Sequence, residues 1–266
     1  MISSQFGYAL ISKPMFSKTF LRNFMVAIKR CDKDMDKDNP KFTLSDLKEM
    51  FEIQKQYTLE ESPIKDPLFI FQSWYRDAAD SVGVLNPSIM CLATSSKTGI
   101  PSLRYMFCES FDTKGFRFFT YNTTRKGQDL KTNPYASLCF YWAPLLRSVR
   151  VEGPVNVLPS SESDELFNRR AYDMQVNIHC STQSDRIQSF DVLNERELIV
   201  RNKFDPSKVP RPENFCWYNV SPIIYDFWQL RQKKERIRFR KSKPDEKIDG
   251  LTRKGEKDWL YEFIEP

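Results

Sequence analysis

The run Gly115-Phe-Arg-Phe-Phe-Thr-Tyr121 constrains the fold more than any other stretch of the chain. Phe116, Phe118 and Thr120 alternate with Arg117, Phe119 and Tyr121, a period of two over aromatic and β-branched residues that fits a strand. The strand breaks at Asn122 and Thr123, which supply turn and N-cap chemistry. Arg125, Lys126 and Gln128 then fall in the expected first turn of a short helix ending near Asn133-Pro134. A strand that delivers two cations to a helix N-terminus suits a phosphate, because free backbone N–H groups and the positive end of the helix dipole point the same way. The same pair also fits a solvated surface turn.

The flanking sequence extends this pattern. Asp66-Pro67 reads as N-cap and first position of a helix whose apolar face carries Leu68, Phe71, Trp74 or Tyr75, and Ala78. Strands are expected over 89–94, 102–111, 115–121, 135–142 and 148–155, with a hairpin turn at 95–99 and a loop at 143–147. Ser161 to Asp164 offers a capping sequence for a further helix through Leu166 and Phe167. A polar segment, 179–185, precedes a second helical stretch near 193–202, and Pro206, Pro210 and Pro212 mark an irregular connection. Strands return at 223–228, 236–240 and 259–264, with a charged loop at 231–235. Short strands with brief turns and one interposed helix predict a mainly β (α+β) fold, a closed or partly closed antiparallel barrel with flanking helices.

Charge and cysteine usage narrow the function classes. The net charge is +6, but residues 1–31 hold five cations (Lys13, Lys18, Arg22, Lys29, Arg30) and no acid. The remainder is nearly neutral, which argues against nucleic acid as partner. Phe16, Phe20, Phe24 and Ile28 recur at helical spacing in that segment, as in a mitochondrial presequence; a basic tail fits equally. Residues 32–64 read as a charged linker and extension, and the folded body is expected from about 65 to 266. The six cysteines form no C-x-x-C pair and read as reduced intracellular thiols packed in a core, so the expected compartment is cytoplasmic or mitochondrial. With one histidine, His179, no metal site is expected. No apolar run approaches the roughly 18 residues of a membrane span.

Several of these residues carry a resemblance. Arg104, the run Gly115 to Thr120, Arg125-Lys-Gly127, Asn133-Pro-x-Ala-Ser-Leu138, Phe140-Tyr-Trp-x-Pro144, Arg147-x-Val-Arg-Val-Glu-Gly-Pro154, Gln183-Ser184, Phe227-Trp-Gln229 and Trp259-Leu-Tyr-Glu262 closely resemble the pyridoxine (pyridoxamine) 5′-phosphate oxidase family. The match is collinear over about 65–266. The resemblance implies an FMN-binding split β-barrel, Greek-key-like, that forms a homodimer with FMN at the interface, the region 213–266 contributing to dimerisation. It also implies hydride transfer from the C4′ carbon of pyridoxine or pyridoxamine 5′-phosphate to flavin N5, with reoxidation by O₂ to hydrogen peroxide.

By that resemblance Arg104, Arg125, Lys126, Gln183 and Ser184 hold the FMN phosphate and ribityl arm. Tyr105, Met106, Phe107, Phe119 and Thr120 line the flavin, Ser148 replaces a family glutamine near it, and Trp228 and Arg236 reach it from the other subunit. Arg170 matches a substrate-binding position; no catalytic residue is assigned.

The departures cluster on the substrate side. Glu109 stands where the family has a lysine for the substrate phosphate, and Leu166 and Met174 stand where it has a tyrosine and a serine. The family's Arg-x-His is absent from a 229–235 loop about two residues short, leaving Arg231, Lys233 or Lys234 as substitutes. Three readings follow: an oxidase of the family's phosphorylated substrate, a flavoprotein acting on another reductant, or a non-catalytic FMN-binding paralogue.

Overall fold

The computed structural model describes residues 59–60, 62, 64–230 and 233–266. The expectations for the basic segment 1–31, Cys31, most of the 32–64 linker and Arg231 therefore lie outside the described residues.

Helix α1 (Pro67–Asp80) starts as its sequence dictates. Asp66 accepts hydrogen bonds from the Leu68 and Phe69 N–H groups, and Pro67 sits where no donor is needed. Its inward face seats Phe71 edge-on to Phe111, Phe116 and Phe140, with each pair of ring centroids 4.9 Å apart. Edge-to-face pairs of this kind add about 0.5–1.5 kcal/mol to area burial, so α1 is fastened to the sheet by its aromatic face.

The remaining chain runs β1 (Ile89–Ser95), β2 (Pro101–Phe107), β3 (Ser110–Asp112), β4 (Gly115–Tyr121), α2 (Arg125–Thr132), β5 (Tyr135–Trp142) and β6 (Arg147–Val157). Then come α3 (Ser160–Asn168), α4 (Tyr172–Cys180), α5 (Asp191–Lys203), β7 (Phe215–Val220), β8 (Ile224–Leu230), β9 (Lys234–Lys241), β10 (Arg253–Lys254) and β11 (Trp259–Phe263). One path of paired strands has the order β10-β11-β9-β8-β6-β5-β1-β2, and β3, β4 and β7 join it through β6. Every pairing is antiparallel. The result is the expected split barrel with flanking helices.

Two crossings between the sheets shape it. Strand β6 pairs with β8 over Arg147 to Glu152 and with β7 over Val155 to Val157. At Gly153, between these halves, a Cβ would lie 1.9 Å from the Ser221 carbonyl oxygen, so a residue without one is needed at the turn. The second crossing is at Cys108-Glu109: the Cys108 N–H bonds the Ser88 carbonyl, and the Glu109 N–H bonds the Arg117 carbonyl, both at 2.8 Å. The single strand expected over 102–111 is thus two, β2 and β3, with Glu109 where the chain changes partner.

Other expectations need correction. Helix α3 starts at Ser160 behind Pro159 and has no side-chain cap, so Ser161 is already inside the first turn. His179 and Cys180 close α4, a helix concealed because its apolar residues alternate along the sequence and so fall on mixed faces, and β7 was not expected. Lys234 and Glu235 belong to β9, shortening the charged loop. Cys108 and Cys180 are buried, but Cys139 is exposed because Leu138 and Phe140 take the inward positions of β5.

The main core lies between α1 and the strands. A second cluster, including Tyr121, Phe167, Ile178, Phe215 and Trp217, joins β4 and β7 to α3 and α4. Among the described residues, no helix is long and apolar enough to cross a membrane.

Candidate functional site

The turn after β4 is built around Thr124. This residue, not Asn122 or Thr123, is the N-cap of α2: its hydroxyl donates to the Tyr121 carbonyl at 2.7 Å and accepts from the Gly127 N–H at 3.3 Å. The turn folds closely over the helix, since a Cβ on Gly127 would lie 2.6 Å from the Asn122 carbonyl oxygen. Glycine at 127 is what lets strand and helix close up here.

Three cations gather at this turn. Lys126 is only 7% exposed, and its neighbours are neutral oxygens: Gln183 Oε1 at 3.2 Å and Thr124 Oγ1 at 3.5 Å. Among the described residues no carboxylate forms an ion pair with it. Burial, and then the charge of Arg104, push its pKa down to about 8. Arg104 donates to the Leu92 carbonyl at 3.1 Å, Thr94 Oγ1 at 2.8 Å and Ser102 Oγ at 2.7 Å. Burial lowers its pKa while Asp129 opposes that shift. Buried Asp129 accepts from Thr94 Oγ1 at 2.7 Å, so one hydroxyl links it to Arg104. Arg125 is exposed and reaches the Pro101 carbonyl at 3.5 Å.

A buried ammonium with only neutral partners is poorly compensated, and an arriving anion relieves it. The cluster therefore fits a phosphate monoester held by charge-assisted bonds at a helix N-terminus. Thr120 extends it, donating to Gln183 Oε1 at 3.1 Å. Ser184, adjacent, is exposed and has φ 79°, a left-handed backbone.

The other expected residues fall into separate groups. On β2, Tyr105 and Phe107 are exposed opposite Cys91 and Ile89, while Met106 packs on the main core. Ser148, Trp228 and Arg236 stand directly opposite one another on β6, β8 and β9. Along the sheet, β8 is four strands from β2, and the hydrogen bonds of Arg236 go to Asp226, not to the Arg104 cluster. Arg236 bonds Asp226 through two nitrogens, each at 2.9 Å. Burial pushes the Asp226 carboxyl up, but Arg236, Arg238 and Arg150 outweigh it and hold it below the usual range.

Of the residues expected near the substrate, Arg170 forms an ion pair with Glu109, the two side chains being 18% and 28% exposed. The guanidinium lies 4.6 Å from the Phe119 ring centroid and 5.8 Å from that of Trp217. Leu166 packs on the second cluster, and Met174 is exposed. Arg170 also lines an open cleft of about 630 Å³ with Tyr172, Gln175 and Lys208.

Thr94, Thr124, Asp129 and Trp217 escaped the sequence reading. Trp217 was findable, because Phe215-Cys-Trp-Tyr-Asn-Val220 is itself a β-prone aromatic run. Thr124 competed with two equally good caps beside it. Thr94 and Asp129 are far apart in sequence and meet only through the fold.

Comparison with known proteins shows which family the chain resembles. The family model for pyridoxamine 5′-phosphate oxidase matches residues 78–196. Pyridoxine-5′-phosphate oxidase of Bos taurus is 37% identical over 205 residues, covering 76% of this chain and 78% of the relative. Pyridoxine/pyridoxamine 5′-phosphate oxidase of Bombyx mori is also 37% identical, with 76% and 80% covered. Among solved structures, PhzG from Burkholderia lata, in complex with tetrahydrophenazine-1-carboxylic acid, superposes with TM-score 0.66 at 25% identity over 79% of this chain and 97% of that one. A pyridoxamine 5′-phosphate oxidase-related FMN-binding protein from Nostoc punctiforme shares the fold, with TM-score 0.57 at 16% identity over 74% and 96%. The chain belongs to the pyridoxamine 5′-phosphate oxidase family, whose members are FMN-dependent oxidoreductases.

Proposed function

We propose that this chain oxidises a pyridoxine-type reductant with FMN as cofactor and O₂ as acceptor, a reaction of vitamin B6 metabolism; its relatives are named as oxidases of pyridoxine or pyridoxamine 5′-phosphate. The observation that carries this reading is the buried Lys126, which has no ion-pair partner among the described residues, beside Arg104 and Arg125 at the α2 N-terminus. Lys126, Arg104 and Arg125 neutralise the cofactor phosphate, and Thr120, Gln183 and Ser184 add neutral hydrogen-bonding groups. Bound FMN supplies the hydride acceptor. The substrate carbinol carbon gives up a hydride and its hydroxyl a proton, leaving an aldehyde, and O₂ takes up two electrons and two protons to become hydrogen peroxide.

We further propose that residues 65–266 form one FMN-binding unit that works as a homodimer, with 213–266 at the interface. In support, Trp228 and Arg236 lie on β8 and β9, four and five strands along the sheet from β2, and Leu103, Tyr105, Phe107 and Tyr141 expose large side chains on one sheet.

A second reading, altered substrate specificity, is favoured by the Glu109–Arg170 ion pair. PhzG, of similar fold, binds a ring acid whose name includes no phosphate. The purified protein should be yellow and take up FMN stoichiometrically. Anaerobic pyridoxine or its 5′-phosphate should bleach the flavin; bleaching by dithionite but by neither vitamer sinks the oxidase reading.

A further inference from the structure

Arg170 already has a carboxylate partner in this chain. Its guanidinium is paired with Glu109 and held against the Phe119 and Trp217 rings. Both partners are anchored at the backbone. The Arg170 N–H bonds the Phe167 carbonyl at the end of α3 at 3.0 Å, and the Glu109 N–H bonds Arg117 where the chain crosses between sheets. The carboxylate is thus carried to the guanidinium by the fold itself. Lys208 lines the same cleft but is exposed, and a solvated ammonium offers a ligand little.

Resting on the oxidase reading, we propose that the reductant is a pyridine carbinol or amine without a phosphate group, and that Glu109 sets this preference. A phosphate dianion at Arg170 must either break the ion pair, leaving a partly buried carboxylate unpaired, or settle against a like charge. A neutral hydroxymethyl group does neither: it can donate to Glu109 or accept from Arg170 with the pair intact. Discrimination here comes from a repulsive group built against the competitor, with the attraction for the chosen ligand left modest.

The test is anaerobic titration of the FMN-loaded protein with pyridoxine and with pyridoxine 5′-phosphate, followed by calorimetry and by the flavin spectrum. Pyridoxine should bind at least about tenfold more tightly, and Glu109→Gln should shift the ratio toward the phosphate ester by about tenfold or more, with FMN affinity unchanged. Tighter binding of the ester by the wild-type protein overturns the proposal, as does a ratio that Glu109→Gln leaves unmoved. The wild-type ratio decides by itself, so the proposal stays testable even if the variant does not fold. A protein that binds neither vitamer but holds FMN overturns it together with the substrate class. A protein that cannot take up FMN removes the oxidase reading itself, a distinguishable failure.

Discussion

The turn around Lys126 and the pair around Arg170 are made from the same parts: a partly or fully buried cation, a neighbouring strand and nearby aromatic or helical support. They differ in where the opposing charge resides. At Lys126 the near neighbours are a hydroxyl and an amide oxygen, so the positive charge is left for a ligand. At Arg170 the protein supplies Glu109, and the charge is spent internally. A count of basic residues near a pocket therefore says little about anion binding until each cation's existing partner is known.

That contrast can be broken by experiment. Replacing Lys126 with Met keeps the buried stem and removes the ammonium; FMN affinity should fall about 10- to 100-fold, from loss of a charge-assisted bond worth roughly 1.5–3 kcal/mol. A flavin fluorescence titration with unchanged affinity would show that Lys126 faces no phosphate.

The pH dependence comes next. The depressed pKa of Lys126 means the free protein loses this charge as pH rises through about 8. FMN affinity should accordingly decline above about pH 8 while the phosphate stays dianionic, and the decline should vanish in Lys126→Met. A flat profile in the wild type between pH 7 and 9.5 would contradict the assignment.

Thr124→Ala removes the α2 cap and should lower stability by about 1 kcal/mol, read as a shift of the denaturant midpoint. The smallest effect is expected from Glu109→Gln on cofactor binding: FMN affinity should stay within about twofold, and its combination with Lys126→Met should be additive within about 0.5 kcal/mol. Coupling larger than that would mean the two regions do not act separately.

The sequence carried the barrel and the strand-turn-helix at 115–132 well, because both rest on local signals: period-two strands, an Asp-Pro helix start, and cations placed just past a turn. What it hid depends on contacts between distant segments. Nothing at Glu109 alone announces that the chain changes sheets there, since the preceding residues continue the alternation. Nothing within 166–174 identifies Glu109 as the partner of Arg170, 61 positions away in sequence. The helix α4 was concealed because its faces are mixed, and Thr124 because three adjacent residues could each have capped α2.

The hydroxyl of Thr94 accepts from Arg104 and donates to Asp129, so a single side chain on β1 ties together β2 and α2. Amide protons of these three elements should therefore exchange with solvent as one cooperative block, not strand by strand. Opening that block would part Arg104 from helix α2, the helix that carries Lys126 in its first turn.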